Sequence, residues 1–110
     1  MNLSNKLEEF SRLISKKSKD CLASIHIDMA GLIRLGETSE EMLENFNHEH
    51  IHYFYVTTIN KIAKRYGLEV FKVFGVKAKG GSIRVYISHN GMQKIHSSVK
   101  LFINKEKKFN

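Results

Sequence analysis

Gly67 is the junction that most constrains this chain. Before it, residues 57–66 place Ile59, Ile62, Ala63 and Tyr66 at i, i+3, i+4 and i+7, one face of a helix. Thr57 or Thr58 can cap its start. After it, residues 68–76 are rich in Val and Phe and read as a strand. Glycine accepts the left-handed conformation that closes a helix, so Gly67 turns one element directly into the other. Residues 77–81, with a Gly80–Gly81 pair, then lead to 82–88. There Ile83, Val85 and Ile87 point one way while Arg84 and Tyr86 point the other. A connection this short joins antiparallel neighbours.

The rest of the chain is read around that hairpin. Proline is absent, so breaks must come from glycine and polar clusters. Residues 3–18 read as a helix with an apolar stripe of Leu7, Phe10, Leu13 and Ile14. Residues 21–28 read as a strand. Gly31 and Gly36 bracket 32–35, whose state the pattern leaves open. Residues 38–45 read as a short helix, Thr38 and Glu41 having capping-box spacing. Residues 97–107 read as a last helix with Val99, Phe102 and Ile103 on one face. The expected order is helix, strand, helix, helix, strand, strand, helix, an α/β pattern. A sheet of three strands is thin and leaves edges to be covered by further sequence or a partner.

With 110 residues the chain forms one domain at most. The single cysteine, Cys21, excludes an internal disulfide and fits a reducing cytoplasm. No apolar run is long enough to span a membrane, and residues 1–10 carry no secretory pattern. The net charge of +7 attracts anions. Lysines cluster at 16, 17 and 19, at 72, 77 and 79, and at 100, 105, 107 and 108. No nucleic-acid-binding motif accompanies them, so neither a nucleic acid nor a membrane is expected as partner. Solvated faces or a phosphate-bearing ligand account for the charge.

The densest chemical cluster is His48-Glu49-His50, with His52 close behind. Three readings stand on spacing alone. The histidines could bind zinc, three of them plus water making a catalytic site. They could be ordinary packing or surface residues. Or a histidine and the carboxylate could do acid–base work on a bound substrate.

Residues 43–86 also carry a resemblance. The stretch Asn47-His48-Glu49-His50-Ile51-His52-Tyr53-Phe54 resembles a Tyr-His-Glu-His motif followed by Tyr-Phe. Tyr66-Gly67-Leu68-Glu69-Val70 resembles the next helix and strand of the same family, and Lys79-Gly80-Gly81-Ser82-Ile83-Arg84-Val85-Tyr86 its His-Gly-Gly-Ser-Leu-Arg-Val-Tyr hairpin. The family is the S-adenosylmethionine-dependent C-methyltransferases acting on nucleotide-linked keto-deoxysugars. The resemblance covers roughly residues 5–106.

The resemblance implies a partial Rossmann-like, class I methyltransferase fold. One parallel-type strand unit would precede an antiparallel carboxy-terminal hairpin with flanking helices. Residues 1–95 would be the carboxy-terminal part of that domain, and 96–110 the start of the family's last region. It implies removal of a proton beside a ketone and attack of the enolate on the donor methyl group. His50 would be the base, Glu49 would orient a sugar hydroxyl or tune the histidine, and His48 would support them. Asn47, Gly80, Gly81, Ser82 and Arg84 would meet the substrate, an activated sugar or similar ketone. S-adenosyl-L-methionine would be the cofactor, with no metal. Asn47 and Lys79 stand where the family has tyrosine and histidine, and the donor loop's Gly-x-Gly pattern is missing. The resemblance therefore implies the half of an enzyme that lacks its donor site, either truncated and inactive alone or split, with a second chain supplying the donor-binding half. The alternative is a non-catalytic binding module, or a histidine-based metal site.

Overall fold

A computed structural model describes residues 3–28, 32–39, 56–76 and 82–108. It contains helix α1 (Leu3–Ser15), strands β1 (Leu22–Asp28) and β2 (Ile33–Thr38), helix α2 (Val56–Arg65), strands β3 (Leu68–Val76) and β4 (Ser82–His89), and helix α3 (Ser97–Lys108). The α/β character expected from the sequence is present. The four strands form one sheet in the order β2-β1-β4-β3.

All three pairings are antiparallel. The hairpin expected after Gly67 is β3–β4, and Gly67 has a φ of 75°. The parallel-type unit expected at β1 is corrected: both of its neighbours, β2 and β4, run against it. Two more expectations change. Residues 33–38 form a strand, so four strands are described where three were expected, and Thr38 closes β2 opposite Leu22. The expected helix over 38–45 otherwise lies outside the described residues.

Strand alternation divides the sheet into two faces. Ala23, Ile25 and Ile27 of β1, Ile83, Val85 and Ile87 of β4, and Val70 and Val73 of β3 join one core. The same core takes Leu7 and Ile14 from α1, Val56, Ile59, Ile62 and Ala63 from α2, and Val99 and Phe102 from α3. All three helices therefore cover one face. The expected α1 stripe is only partly used, since Leu13 is 55 % exposed. α1 stops at Ser15, and the His89 ring donates to the Ile14 carbonyl at its end (3.1 Å).

The opposite face carries a smaller cluster of Leu22, Phe71, Phe74 and Tyr86. Phe71 reaches it through a bulge: Val70 pairs with Ile87 and Lys72 with Tyr86, so Phe71 is the extra residue. The bulge shifts the alternation by one, so that Phe71 and Lys72 both fall on this face and Val73 returns to the core. Phe74 meets Tyr86 edge-on at 5.9 Å between ring centres.

The outer edge of β3 is closed. The Val70 N–H donates to Asn60 Oδ1, the Val73 N–H donates to Ser98 Oγ, and the Phe71 carbonyl accepts from the His96 N–H. The start of α2 is closed from a distance by Glu106 of α3. Its carboxylate accepts from the Val56 N–H (2.7 Å), the Thr57 N–H (2.9 Å) and the Thr57 hydroxyl. The cap expected from a threonine side chain is thus supplied by a carboxylate fifty residues away.

Candidate anion-binding site

The sheet face opposite the described helices holds a row of basic side chains. Arg34 of β2 is the register partner of His26 of β1, and His26 is in turn the partner of Arg84 of β4. Alternation puts all three on the same face, opposite Ile25 and Ile27. The next row contains Gly36, Ser24 and Tyr86. Together they line a cleft of about 240 Å³ that extends over β2 along Leu35, Gly36, Glu37 and Thr38.

The strands fix this geometry, and the side chains refine it. Arg84 Nη2 lies 3.3 Å from His26 Nδ1. A guanidinium has no acceptor, so it donates and the imidazole accepts. That leaves the imidazole proton on Nε2 and fixes the ring plane. Tyr86 is 1 % exposed and seated against Phe71 and Phe74. The cleft floor is therefore rigid on the β4 side.

Gly36 shapes the β2 side. A Cβ added there would meet nothing within 4 Å, and its φ is not positive. Neither crowding nor backbone conformation requires glycine. In mid-strand it costs stability, and what it leaves is bare backbone beside two arginines.

Arg34, His26 and Arg84 stand in one line across three strands, with the imidazole between the two guanidinium groups rather than arginine directly opposite arginine. Guanidinium groups bind carboxylate and phosphate through paired N–H donors. Ser24, Thr38 and Tyr86 add hydroxyls to the same wall.

Of the site residues expected from the sequence, Arg84 is in this cleft. Ser82 begins β4 on the same face, buried, opposite Asp28 and Val76, and does not line the cleft. Asn47, His48, Glu49, His50, Gly80 and Gly81 lie outside the described residues, as does His52. Among the described residues no group of three His, Cys, Asp or Glu is placed to hold a metal ion. Ser24, His26, Arg34 and Gly36 were not singled out from the sequence. Their signal is the alternation of polar Ser24, His26 and Asp28 with Ile25 and Ile27, and it becomes a site only once β1 is known to lie between β2 and β4.

Cys21 sits at the margin, its thiol donating to Glu37 Oε1 at 3.3 Å. Burial, then this hydrogen bond and the charge of Glu37, push the thiol up from 9.0 to about 11. The stabilisation is present below 9 and lost as pH rises through 11. Alkylation by iodoacetamide at neutral pH is expected to be slower than for a free cysteine, and Glu37→Gln is expected to speed it. Equal rates for the two proteins would show that the contact does not control the thiol.

The chain matches no protein-family profile, no curated protein and no solved structure.

Proposed function

We propose that this protein is a binding domain for a small anionic ligand, a phosphate-bearing metabolite held on the sheet face opposite the described helices. The in-register row Arg34–His26–Arg84 carries this reading. The volume is just below the ~300–1,000 Å³ of sites that enclose a drug-sized molecule. It suits a phosphate with a small group attached, the remainder of the ligand lying over Gly36. The net charge of +7 favours approach of such a ligand.

A second reading follows from the resemblance and from Arg84, the motif residue in the cleft. In it the cleft takes the phosphate of a nucleotide-linked sugar, and His50 and Glu49 act on the ketone once a second chain brings S-adenosylmethionine. Three antiparallel pairings do not resemble the parallel core of a Rossmann-like sheet, so we place binding ahead of methyl transfer.

Calorimetric titration tests both. Inorganic phosphate and a nucleoside-diphosphate sugar are expected to bind the purified chain, more weakly as salt rises. Arg34→Gln and Arg84→Gln should each weaken binding about tenfold or more, the loss of one charge-assisted contact. Gly36→Val should weaken binding while leaving thermal stability equal or higher, because the added side chain fills only the cleft. Unchanged affinity in both arginine variants would sink the proposal. Binding of S-adenosylmethionine only once a donor-binding second chain is added would favour the second reading, and binding by the chain alone would contradict it.

A further inference from the structure

The two edges of the sheet are treated differently. β3 is closed by Asn60, His96 and Ser98. Beyond β2 no strand lies among the described residues. The Asp28 N–H donates to the Leu32 carbonyl at 3.1 Å. Hydrogen-bonded and non-hydrogen-bonded pairs alternate along an antiparallel ladder. Arg34, Gly36 and Thr38 therefore bond inward to β1, and the N–H and C=O groups of Ile33, Leu35 and Glu37 face the outer edge. An open row of this kind is a template for another strand.

We propose that β2 pairs antiparallel with β2 of a second copy of this chain, centred on Leu35, and that each copy lends Arg34 to the other's cleft. The charge pattern of the edge selects this register. Centring on Leu35 opposes Ile33 to Glu37 and Arg34 to Gly36, pairs all three outward residues, and sets no like charges against each other. A two-residue slide in one direction opposes Arg34 to itself. The same slide in the other direction leaves Ile33 beyond the end of the partner strand. A further slide opposes Glu37 to itself.

Both faces fit the same register. On the helix side, Leu35 meets its copy beside an apolar cleft formed with Phe10 and Leu13 of α1. This gives exposed Leu13 an apolar surface to cover. On the other side, Arg34 of the second copy lies opposite Gly36, where nothing stands within 4 Å of an added Cβ. Its guanidinium can cross the bare backbone into the cleft. This last contribution rests on the anion-binding reading; the strand pairing does not.

Cross-linking without ligand separates the two. In a pair bonded on both sides, Cα atoms are about 5.5 Å apart, inside the ~4.4–6.8 Å that a disulfide spans. In a Cys21→Ser background, Leu35→Cys is expected to oxidise to a covalent dimer. Ile33→Cys alone and Glu37→Cys alone are expected not to, and the two mixed are expected to cross-link to each other. The mixed pair keeps the test valid if Leu35→Cys folds poorly. Sedimentation of the unmodified chain should show a dimer. A monomer at the same concentration overturns the proposal and means that another segment or partner protects the edge. A disulfide between two copies of the Ile33→Cys chain overturns the register. Anion binding by a monomer would leave the cleft standing and remove the second copy.

Discussion

Replacing Glu106 with alanine is expected to remove about 3 kcal/mol of stability, since hydrogen bonds to a charged group contribute about 1.5–3 kcal/mol each and their loss leaves buried donors unmet. Glu106 is 4 % exposed on α3, yet its bonds close the first turn of α2. A helix start has unpaired N–H groups and favours negative charge, and this carboxylate meets both needs. It also ties α3 to α2, so its loss loosens two helices that share the core. Glu106→Gln keeps one acceptor and loses the charge, and should fall between alanine and the native protein. Lys107→Ala, on the exposed side of the same helix, should stay within about 0.5 kcal/mol. Urea unfolding of the three variants measures this. A cost below about 1 kcal/mol for Glu106→Ala, an ordinary neutral hydrogen bond, would mean that water or Thr57 closes α2 without it.

The second large effect is expected at Phe74. Truncating a buried phenylalanine to alanine costs about 3–5 kcal/mol, a transfer term plus the cavity left behind. Phe74 is 2 % exposed, edge-on to Tyr86, and 6.4 Å between ring centres from His96. The Lys72 ammonium lies 4.7 Å from its ring centre. The ring therefore holds the cleft floor through Tyr86 and packs against the segment that closes β3. Phe74→Leu keeps most of the volume and should cost clearly less. Where Phe74→Ala still folds, anion affinity should fall with stability, because Tyr86 loses its seat. Denaturation and titration on the same samples check the pair. Equal stability for the alanine and leucine variants would show that the aromatic cluster does not carry this face.

Parts of the fold are legible because local chemistry decides them. Gly67 ends α2 and begins β3 for a backbone reason that holds in any context. The alternation of Ile83, Val85 and Ile87 with Arg84 and Tyr86 survives intact in β4. Misreadings fall where local signals are weak or compete. Gly36 interrupts the pattern of 32–35, so β2 stays hidden although β1 supplies its ladder. Leu13 completes a helical stripe and still faces outward, because α1 rests on the core through Leu7 and Ile14.

By itself the sequence determined the helix–glycine–hairpin unit, the strand periods, the single thiol and the excess of positive charge. All of these depend on residues near one another in the chain. Only the tertiary structure decided that β1 lies between β2 and β4. That placement aligns Arg34, His26 and Arg84 and leaves β2 at an edge, while the packing of α3 beside α2 brings Glu106 to the start of α2. The His26–Arg84 and Val56–Glu106 contacts join residues 58 and 50 positions apart, and no local preference specifies them. They arise because Ile25, Ile27, Ile83 and Val85 must be buried together, and burying one face of the sheet gathers the basic residues on the other.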